Sequence, residues 1–328
     1  MAPVDVLLVS LGSTAGLRAA DAELRDALQR AGARVELVTA ARRREIRTLA
    51  LTDLAWARAA RSAATAGIAE HEPHAVIYST TTAALLWPRP GAIRFDALAA
   101  QNRPGRHGAW QRPRELRRLV AAPLLLPWSA EALDGAPEDA ANTLVVPVPI
   151  EPSGLGEPWG ARPLAAVTYA ADPDKKGLEQ VLAAWTAARR EDETLVVAGL
   201  DPARLPSPPP GVELAGKLDR DAFRALVRSA KLFVIAPRRE DHGLAQLEAL
   251  ADGCVLVTTP APGPYVALPI ARQLDPRLVT DDLAPAIRAA LDDPAPRYHE
   301  RALPLLEPLT RAAVDRVVAL DLLPRLLR

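Results

Sequence analysis

Short apolar runs alternate with amphipathic stretches along this 328-residue chain. The run from Val4 to Ser10 is nearly continuous in apolar residues, as expected of a parallel strand that is covered on both faces. An apolar stripe from Leu17 to Ala31 then predicts a helix that ends near Gly32. A second strand is predicted over residues 34–39, so the chain opens with a βαβ unit.

The same alternation continues to the end of the chain. Further strands are predicted over 74–80, 92–96, 122–129 and 142–150 in the first half and over 164–170, 194–199, 211–216, 231–236 and 255–259 in the second. Residues 151–163 are rich in glycine and proline and are interpreted as a linker. Two such series predict two doubly wound parallel sheets, with ligands bound in a cleft at the carboxyl ends of the strands.

Composition narrows the class of protein. Apolar residues make up 49% of the chain, and 40 basic residues balance 40 acidic ones, which argues against a protein-wide footprint for nucleic acid. The one cysteine, Cys254, excludes an internal disulfide and a multi-cysteine metal site, and its apolar neighbours predict a buried structural thiol. No apolar run reaches the ~18 residues of a membrane span. The N-terminus is not expected to be a signal peptide, because it lacks a basic segment and Asp5 interrupts its apolar run. We therefore expect a cytoplasmic protein.

Residues 236–259 carry the most informative chemistry. Glu240 and Glu248 bracket seven residues, and Gly243 between them suits a turn at which backbone approaches a ligand. A helix is predicted over 244–251, and the free N–H groups at its start would suit a phosphate. The carboxylates would suit sugar or ribose hydroxyls. The structural alternative is that acids near a helix start only favour the helix dipole.

The order of motifs in the second half resembles a known family. A strand leads to the pair Lys176-Gly177, then to VVAGL, to GVELAGKL, and to RSAKLFVIAPRREDHGLAQLEALADGCVLVTT, which contains an E-x7-E motif. This order resembles the nucleotide-sugar-dependent, retaining glycosyltransferases of the family-four type. The resemblance implies an α/β GT-B fold with two Rossmann-like domains: an acceptor-side domain over 1–150, a donor-binding domain over 164–299, and a C-terminal segment, 300–328, that packs back on the first domain.

The resemblance also implies roles in donor binding. Lys176 would contact the donor's phosphates, Glu240 would hold hydroxyls of the transferred sugar near the reacting carbon, and Glu248 would bind the ribose. The loop and first helical turn would cradle a phosphate, through His242, Gly243, Leu244 and Ala245. The donor would be a UDP- or GDP-sugar, and neither a metal nor a further cofactor is implied.

Three positions depart from the family pattern. The family's arginine five residues before the lysine is absent, since Ala171 stands there, and Lys175 is the nearest substitute although it lacks the bidentate fork of arginine. The loop 260–266 lacks the usual acid. Val255 replaces a usual proline.

The first half resembles the family only in its fold. Gly12 lies in a loop, LGSTAG, that lacks the GxGxxG spacing and either approaches the donor or only forms a turn. Asp96 follows a strand and is a candidate to approach the acceptor hydroxyl, or else caps a turn. His107 is a weaker candidate, since lone loop histidines are mostly surface residues.

Residues 103–118 carry six arginines and one glutamate. They either form a solvated face, recognise an acidic acceptor, or attach the protein to anionic lipid at the inner membrane face. The terminal helix either packs on the domains or contributes to such attachment.

We therefore expect a hexosyltransferase-like enzyme that moves a sugar from a nucleotide to a hydroxyl acceptor with retention and without a metal. A degenerate GT-B protein that binds nucleotide or a partner without transfer is one alternative. A GT-B sugar-nucleotide epimerase is the other.

Overall fold

The computed structural model describes residues 4–42, 48–103, 105–138, 140, 142–154 and 156–328. The chain divides into two compact units, which we call the first unit (Met1–Pro149 with Leu309–Arg328) and the second unit (Ile150–Pro308). None of the helices in the described residues combines the length and the apolar character that a bilayer-spanning segment needs.

The first unit is built on a five-stranded parallel sheet with the order β2-β1-β3-β4-β5. Its strands are β1 (Val6–Ser10), β2 (Val35–Thr39), β3 (Ala75–Tyr78), β4 (Ala92–Phe95) and β5 (Leu125–Pro127). Its helices are α1 (Ala15–Arg30), α2 (Leu49–His71), α3 (Thr81–Ala84), α4 (Ala99–Asn102) and α5 (Gln111–Ala121), joined at the C-terminus by α12 (Arg311–Val317), a π-helical turn (Val318–Leu322) and α13 (Leu323–Leu326).

The second unit has its own five-stranded parallel sheet with the order β10-β9-β6-β7-β8. Its strands are β6 (Leu164–Tyr169), β7 (Leu195–Ala198), β8 (Val212–Gly216), β9 (Ala230–Ile235) and β10 (Val255–Thr258). Its helices are α6 (Leu178–Ala188), α7 (Arg220–Ser229), α8 (Leu244–Ala251), α9 (Ala267–Leu274), α10 (Leu283–Asp292) and α11 (Tyr298–Leu306).

The expectation of two doubly wound parallel sheets is confirmed. In each sheet the chain reverses its direction of strand addition once, between β1 and β3 in the first unit and between β6 and β9 in the second. Loops that leave the carboxyl ends of strands on the two sides of such a switch point diverge and open a crevice. These two places are therefore where a ligand site is expected in each unit.

One predicted strand is wrong. Residues 142–150 run beside β5 and exchange hydrogen bonds with it at Leu125 and Pro127, but only Thr143 forms a bridge. Pro147 and Pro149 lack the N–H that a continued ladder would need. The segment is extended without being a strand.

The structure also contains a long helix that the pattern did not predict. Helix α2 buries Ala57, Ala60, Ala64 and Gly67, which are small residues at helical spacing. Because it lacks a stripe of large apolar side chains, its pattern is weak. This helix matters because its first turns line a cavity.

The C-terminal segment packs on the first unit as expected, whereas the stretch expected to be a linker belongs to the second unit. Ser153 donates to Asp252, and Arg162 donates to the carbonyls of Ala230 and Asp252, so the stretch 151–163 is tied to the second unit. The return to the first unit begins at Leu309. There Val314, Val318 and Leu322 join the apolar cluster of Leu24 and Leu28.

Candidate functional site

Two loops meet at the switch point of the second unit. The loop after β6 carries Lys175 and Lys176, and the loop after β9 carries Glu240 and its neighbours. The backbone N–H of Arg238 donates to the carbonyl of Lys175 at 3.0 Å and joins the two loops directly. The pattern predicted both loops, and the sheet order brings them together.

Gly177 makes this close approach possible. Its φ is +64°, and a Cβ at this position would lie 1.8 Å from the carbonyl oxygen of Ala236. No side chain fits there, and the left-handed backbone also favours glycine. The Lys-Gly pair therefore has a structural reason: the glycine lets the β6 loop press on the β9 loop, and this places Lys176.

Lys176 and Glu240 form the centre of the site. Lys176 Nζ lies 2.5 Å from Glu240 Oε2, and Gln246 Nε2 donates to the same oxygen at 2.8 Å. Glu240 is only 5% exposed and Gln246 is fully buried. The carboxylate is therefore held in one orientation by a cation and an amide.

The loop 260–266 supports Glu240 from the other side. The N–H of Glu240 donates to the carbonyl of Pro262, and the N–H of Tyr265 donates to the carbonyl of Glu240. The Tyr265 hydroxyl lies 2.6 Å from Thr258 Oγ1, and burial raises the pKa of this phenol well above its usual range. This loop, which has no acid, therefore contacts Glu240 through backbone hydrogen bonds.

A second group of charges lies beside the centre. Lys175 Nζ is 3.1 Å from Asp241 Oδ2, and Arg239 Nε is 2.9 Å from Asp241 Oδ1. Burial alone would raise the pKa of Asp241, but Lys175 and then Arg239 outweigh it and hold the pKa below its usual value. Arg239 Nη2 is buried without a hydrogen-bond partner in the described residues. A guanidinium therefore lies in the adjoining loop although Ala171 is not an arginine.

Helix α8 starts immediately after these residues. Gly243 adopts φ +87°, and a Cβ there would lie 3.1 Å from the Tyr265 ring. No side chain among the described residues caps this N-terminus, so the first N–H groups, from Leu244 and Ala245 onward, have no partner within the helix. His242 is 4% exposed, and its carbonyl accepts from the N–H of Val266. This geometry is the kind that accepts a phosphate oxygen.

Glu248 lies about one turn along α8 and is held by arginines. Arg220 Nη2 and Arg224 Nη1 approach its Oε1 at 3.0 and 3.3 Å. Arg224 also binds Asp252 bidentately at 2.6 and 2.7 Å, and these carboxylates raise the pKa of Arg224 against the opposing effect of burial. Burial and then Glu248 raise the pKa of the neighbouring Tyr169.

The first unit holds a cavity of about 870 Å³ at its own switch point. Its walls come from the loops after β1, β3 and β4, from the first turns of α2, and from the segment around α4 and α5. Trp56 supplies an aromatic wall, and the polar lining consists of Ser13, Thr14, Arg42, Thr52, Asp53, Thr80, Thr81, Thr82, Asp96, Asn102, Arg103 and Gln111. A cavity so rich in hydroxyl, amide and carboxylate groups can hydrogen-bond a polyhydroxylated ligand.

One charged pair lines this cavity, and a second is buried elsewhere in the same unit. Arg103 binds Asp53 bidentately at 2.8 and 3.1 Å, which gives the wall a fixed geometry. Elsewhere in the unit, Arg94 is 1% exposed and lies 3.5 Å from the equally buried Asp21. Burial lowers the pKa of Arg94 to about 10 and raises that of Asp21. These two residues therefore form a buried ion pair that does not line the cavity.

The remaining predicted site residues fall in the first unit. Asp96 follows β4 and lines the cavity, and Gly12, with φ +59°, lies in the loop between two lining residues. Gly12 is thus in a different unit from the other predicted donor residues. The side chain of His107 lies outside what the structure describes.

The remaining question is whether the described residues hold a reactive thiol or a metal site. The Cys254 thiol is buried, and burial raises its pKa to about 12, as expected of a structural thiol. Among the described residues, no three His, Cys, Asp or Glu side chains cluster as a metal site would require.

Several residues of both sites were missed from the sequence. Gln246 could have been found as a polar residue on the apolar face of LAQLEALA, and Arg224 likewise on the buried face of α7. Asp53 and Trp56 gave no signal, because only the fold brings their segment to the cavity, and Arg103 was noted only as part of the arginine-rich segment 103–118.

Comparison with known proteins agrees with this geometry. Residues 164–293, less than half of the chain, match the family described as glycosyl transferases group 1. No curated protein matches the chain.

Solved structures match over nearly the whole chain at low sequence identity. Sucrose-phosphate synthase from Thermosynechococcus elongatus is 16% identical with a TM-score of 0.71, covering 95% of this chain and 96% of that one. Anabaena HepE, solved with UDP and glucose, is 15% identical with a TM-score of 0.68 (97% and 99% covered). The lipopolysaccharide glycosyltransferase WaaG is 14% identical with a TM-score of 0.67 (95% and 99% covered). At these identities the likeness establishes the fold: the chain has a two-domain GT-B fold, and with the family match this supports a glycosyltransferase.

Proposed function

We propose that the protein transfers a sugar from a UDP- or GDP-sugar to a hydroxyl acceptor, with retention of anomeric configuration and without a metal ion. The observation that carries the proposal is the Lys176–Glu240–Gln246 cluster beside the uncapped start of α8, at the switch point of the second unit. The group 1 match over 164–293 covers this whole cluster.

The donor's diphosphate binds at the start of α8. The N–H groups of Leu244 and Ala245, with Lys176, face the negative charge that develops as the nucleoside diphosphate leaves. Lys175 and Arg239 supply further positive charge beside them, tied together through Asp241. This group takes over from the arginine that is absent at position 171.

The two glutamates bind hydroxyls. Glu240, oriented by Lys176 and Gln246, accepts hydrogen bonds from the transferred sugar near its reacting carbon. Glu248 binds the ribose through Oε2, since Arg220 and Arg224 both contact Oε1. A carboxylate that accepts from two hydroxyls gives orientation as well as affinity.

The acceptor binds in the cavity of the first unit. Its hydroxyl and amide walls suit a polyhydroxylated molecule, with Trp56 against the apolar face and Asp96 near the reacting hydroxyl. The acceptor oxygen attacks the anomeric carbon from the side of the leaving group while the bond to the diphosphate oxygen breaks. The hydroxyl proton passes to a diphosphate oxygen.

The test is release of nucleoside diphosphate from a panel of nucleotide sugars, with and without a sugar mixture as acceptor. Wild-type protein releases it from at least one donor, and Glu240→Gln reduces the rate by at least about 100-fold because the sugar loses its carboxylate partner. Glu213→Gln, at an exposed position on β8, is the matched control and keeps the wild-type rate. Full activity of Glu240→Gln would contradict the role of Glu240. The product's anomeric configuration by NMR, and the rate in a chelator, test retention and metal independence.

A binding protein without transfer is the second candidate, favoured by the absent arginine at position 171. It predicts stabilisation by a nucleoside diphosphate with no release from any nucleotide sugar. The same panel separates the two functions.

A further inference from the structure

Helix α5 of the first unit has an outward face that the proposed function does not use. The helix buries Gln111, Glu115 and Leu119. Leu116 and Val120, one turn apart, are 40% and 42% exposed. Exposing two neighbouring apolar side chains to water is unfavourable, and a partner that covered them would recover this free energy.

The segment that carries this apolar pair is rich in positive charge. Residues 105–121 contain five arginines, at positions 106, 112, 114, 117 and 118, and one carboxylate, Glu115. Glu115 is 2% exposed, and its Oε2 accepts from the N–H of Ala99 inside the unit. We call the arginines with Leu116 and Val120 the α5 patch.

The arginines of the α5 patch are held by contacts other than ion pairs. Arg114 lies over the Trp110 ring at 5.6 Å and Arg118 over Trp87 at 4.8 Å, while Arg112 donates to the carbonyl of Gly105. Within the described part of the chain none of the five pairs with a carboxylate, whereas many arginines elsewhere do, Arg224 and Arg288 among them. Burial, and to a smaller extent the charges of Arg114 and Arg61, lower the pKa of Arg118.

We propose that the α5 patch docks the protein on an anionic lipid bilayer, with α5 lying in the plane of the interface. A helix with apolar side chains between arginines is suited to the boundary between headgroups and acyl chains, where both kinds of side chain find a partner. A soluble polyanion would engage the arginines but leave Leu116 and Val120 in water. Because the patch combines arginines with exposed apolar side chains, an anionic bilayer fits it better than a soluble polyanion does.

The test uses the full chain and flotation with vesicles of phosphatidylcholine alone or with about 30% phosphatidylglycerol. The protein floats with the anionic vesicles only, and added salt releases it. Arg114→Gln with Arg117→Gln weakens binding by about 25-fold, at roughly fivefold for each arginine. Leu116→Ser weakens it several-fold. No nucleotide is needed, so failure here leaves the proposed function untouched.

A second surface of the same unit provides the matched control. Arg316 and Leu320 are exposed one turn apart at the C-terminal end, and Leu320 is 69% exposed, but Asp315 and Asp321 stand beside them. Arg316→Gln with Leu320→Ser leaves vesicle binding unchanged, and circular dichroism verifies that every variant is folded. Equal binding of the α5 variants and the wild type would overturn the proposal. A second result would also overturn it: binding that needs the arginines, is unchanged by Leu116→Ser, and is abolished by a soluble polyanion such as heparin. The patch would then be a polyanion site.

Discussion

The two units share an architecture but assemble their candidate sites differently. The second unit draws its central groups from two loops, and a single stretch of 24 residues contains Glu240, the start of α8 and Glu248. The first unit builds its cavity from segments scattered over residues 11–111. A local site leaves a motif in the sequence, whereas a dispersed site exists only once the chain has folded.

The two units also differ in where their charged side chains lie. In the second unit the carboxylates of Glu240 and Asp241 meet lysines beside a helix N-terminus, where a ligand's phosphate can replace or join them. In the first unit Asp21, Arg94 and Glu115 are buried, and none of them lines the cavity. The first arrangement is suited to binding an anion, whereas the second places charge in the interior of the unit.

The substitution expected to destabilise the second unit most, without affecting the first, is Gly177→Ala. A Cβ there would lie 1.8 Å from the Ala236 carbonyl oxygen at φ +64°, so the two site loops must separate. We expect a loss of roughly 3–5 kcal/mol in the unfolding free energy, from overpacking and backbone strain together. Hydrogen exchange read by mass spectrometry should place the loss in residues 150–308. Gly32→Ala in the first unit, with φ +94° but no atom within 4 Å of the added carbon, is the control and should cost about 1 kcal/mol. Equal losses would mean that the contact between the loops is unimportant.

The buried charge of the first unit makes its stability depend on pH. Burial raises the pKa of Glu115 to about 6 from 4.5, the opposing hydrogen bonds of Thr81 and Ala99 being weaker. Because the folded pKa is the higher one, the stabilising contribution is complete below about pH 4.5 and is lost as the pH rises through about 6. Glu115→Gln should therefore gain about 2 kcal/mol over wild type at pH 7 and nothing at pH 4.5.

Denaturant unfolding at the two pH values measures this gain. Glu131→Gln, at an exposed position of the same unit, should show no such difference. A gain for Glu115→Gln that is the same at both pH values would show that burial of the charge is not its cause.

The smallest effect concerns the cation that stands in for the missing arginine. Arg239→Gln should weaken binding of the preferred nucleoside diphosphate by about tenfold, since one partly buried charge beside the phosphates is lost. Its exposed neighbour provides the control: Arg238→Gln should bind as wild type does. Titration calorimetry measures both. Equal affinities for the two variants would place Arg239 outside the donor site.

These contrasts also explain what the sequence could predict. All ten strands were predicted, with one more over 142–150 that is not a strand, and α8 was predicted over its observed bounds because Gly243 and the periodicity after it are local signals. Helix α2 was missed because it packs through alanine and glycine. The pairing of Arg220 and Arg224 with Glu248 could not be predicted, since it depends on how α7 lies against α8.

The central claim is that the second unit binds a nucleoside diphosphate, and thermal unfolding in the presence of UDP, GDP and other nucleoside diphosphates tests it most directly. A ligand at 100 times its Kd stabilises the folded protein by about 2.7 kcal/mol. We expect at least one diphosphate to raise the unfolding temperature by several degrees, and Lys176→Gln to remove most of that rise. If none of them stabilises the wild-type protein at millimolar concentration, the donor site proposed around Lys176, Glu240 and α8 is wrong.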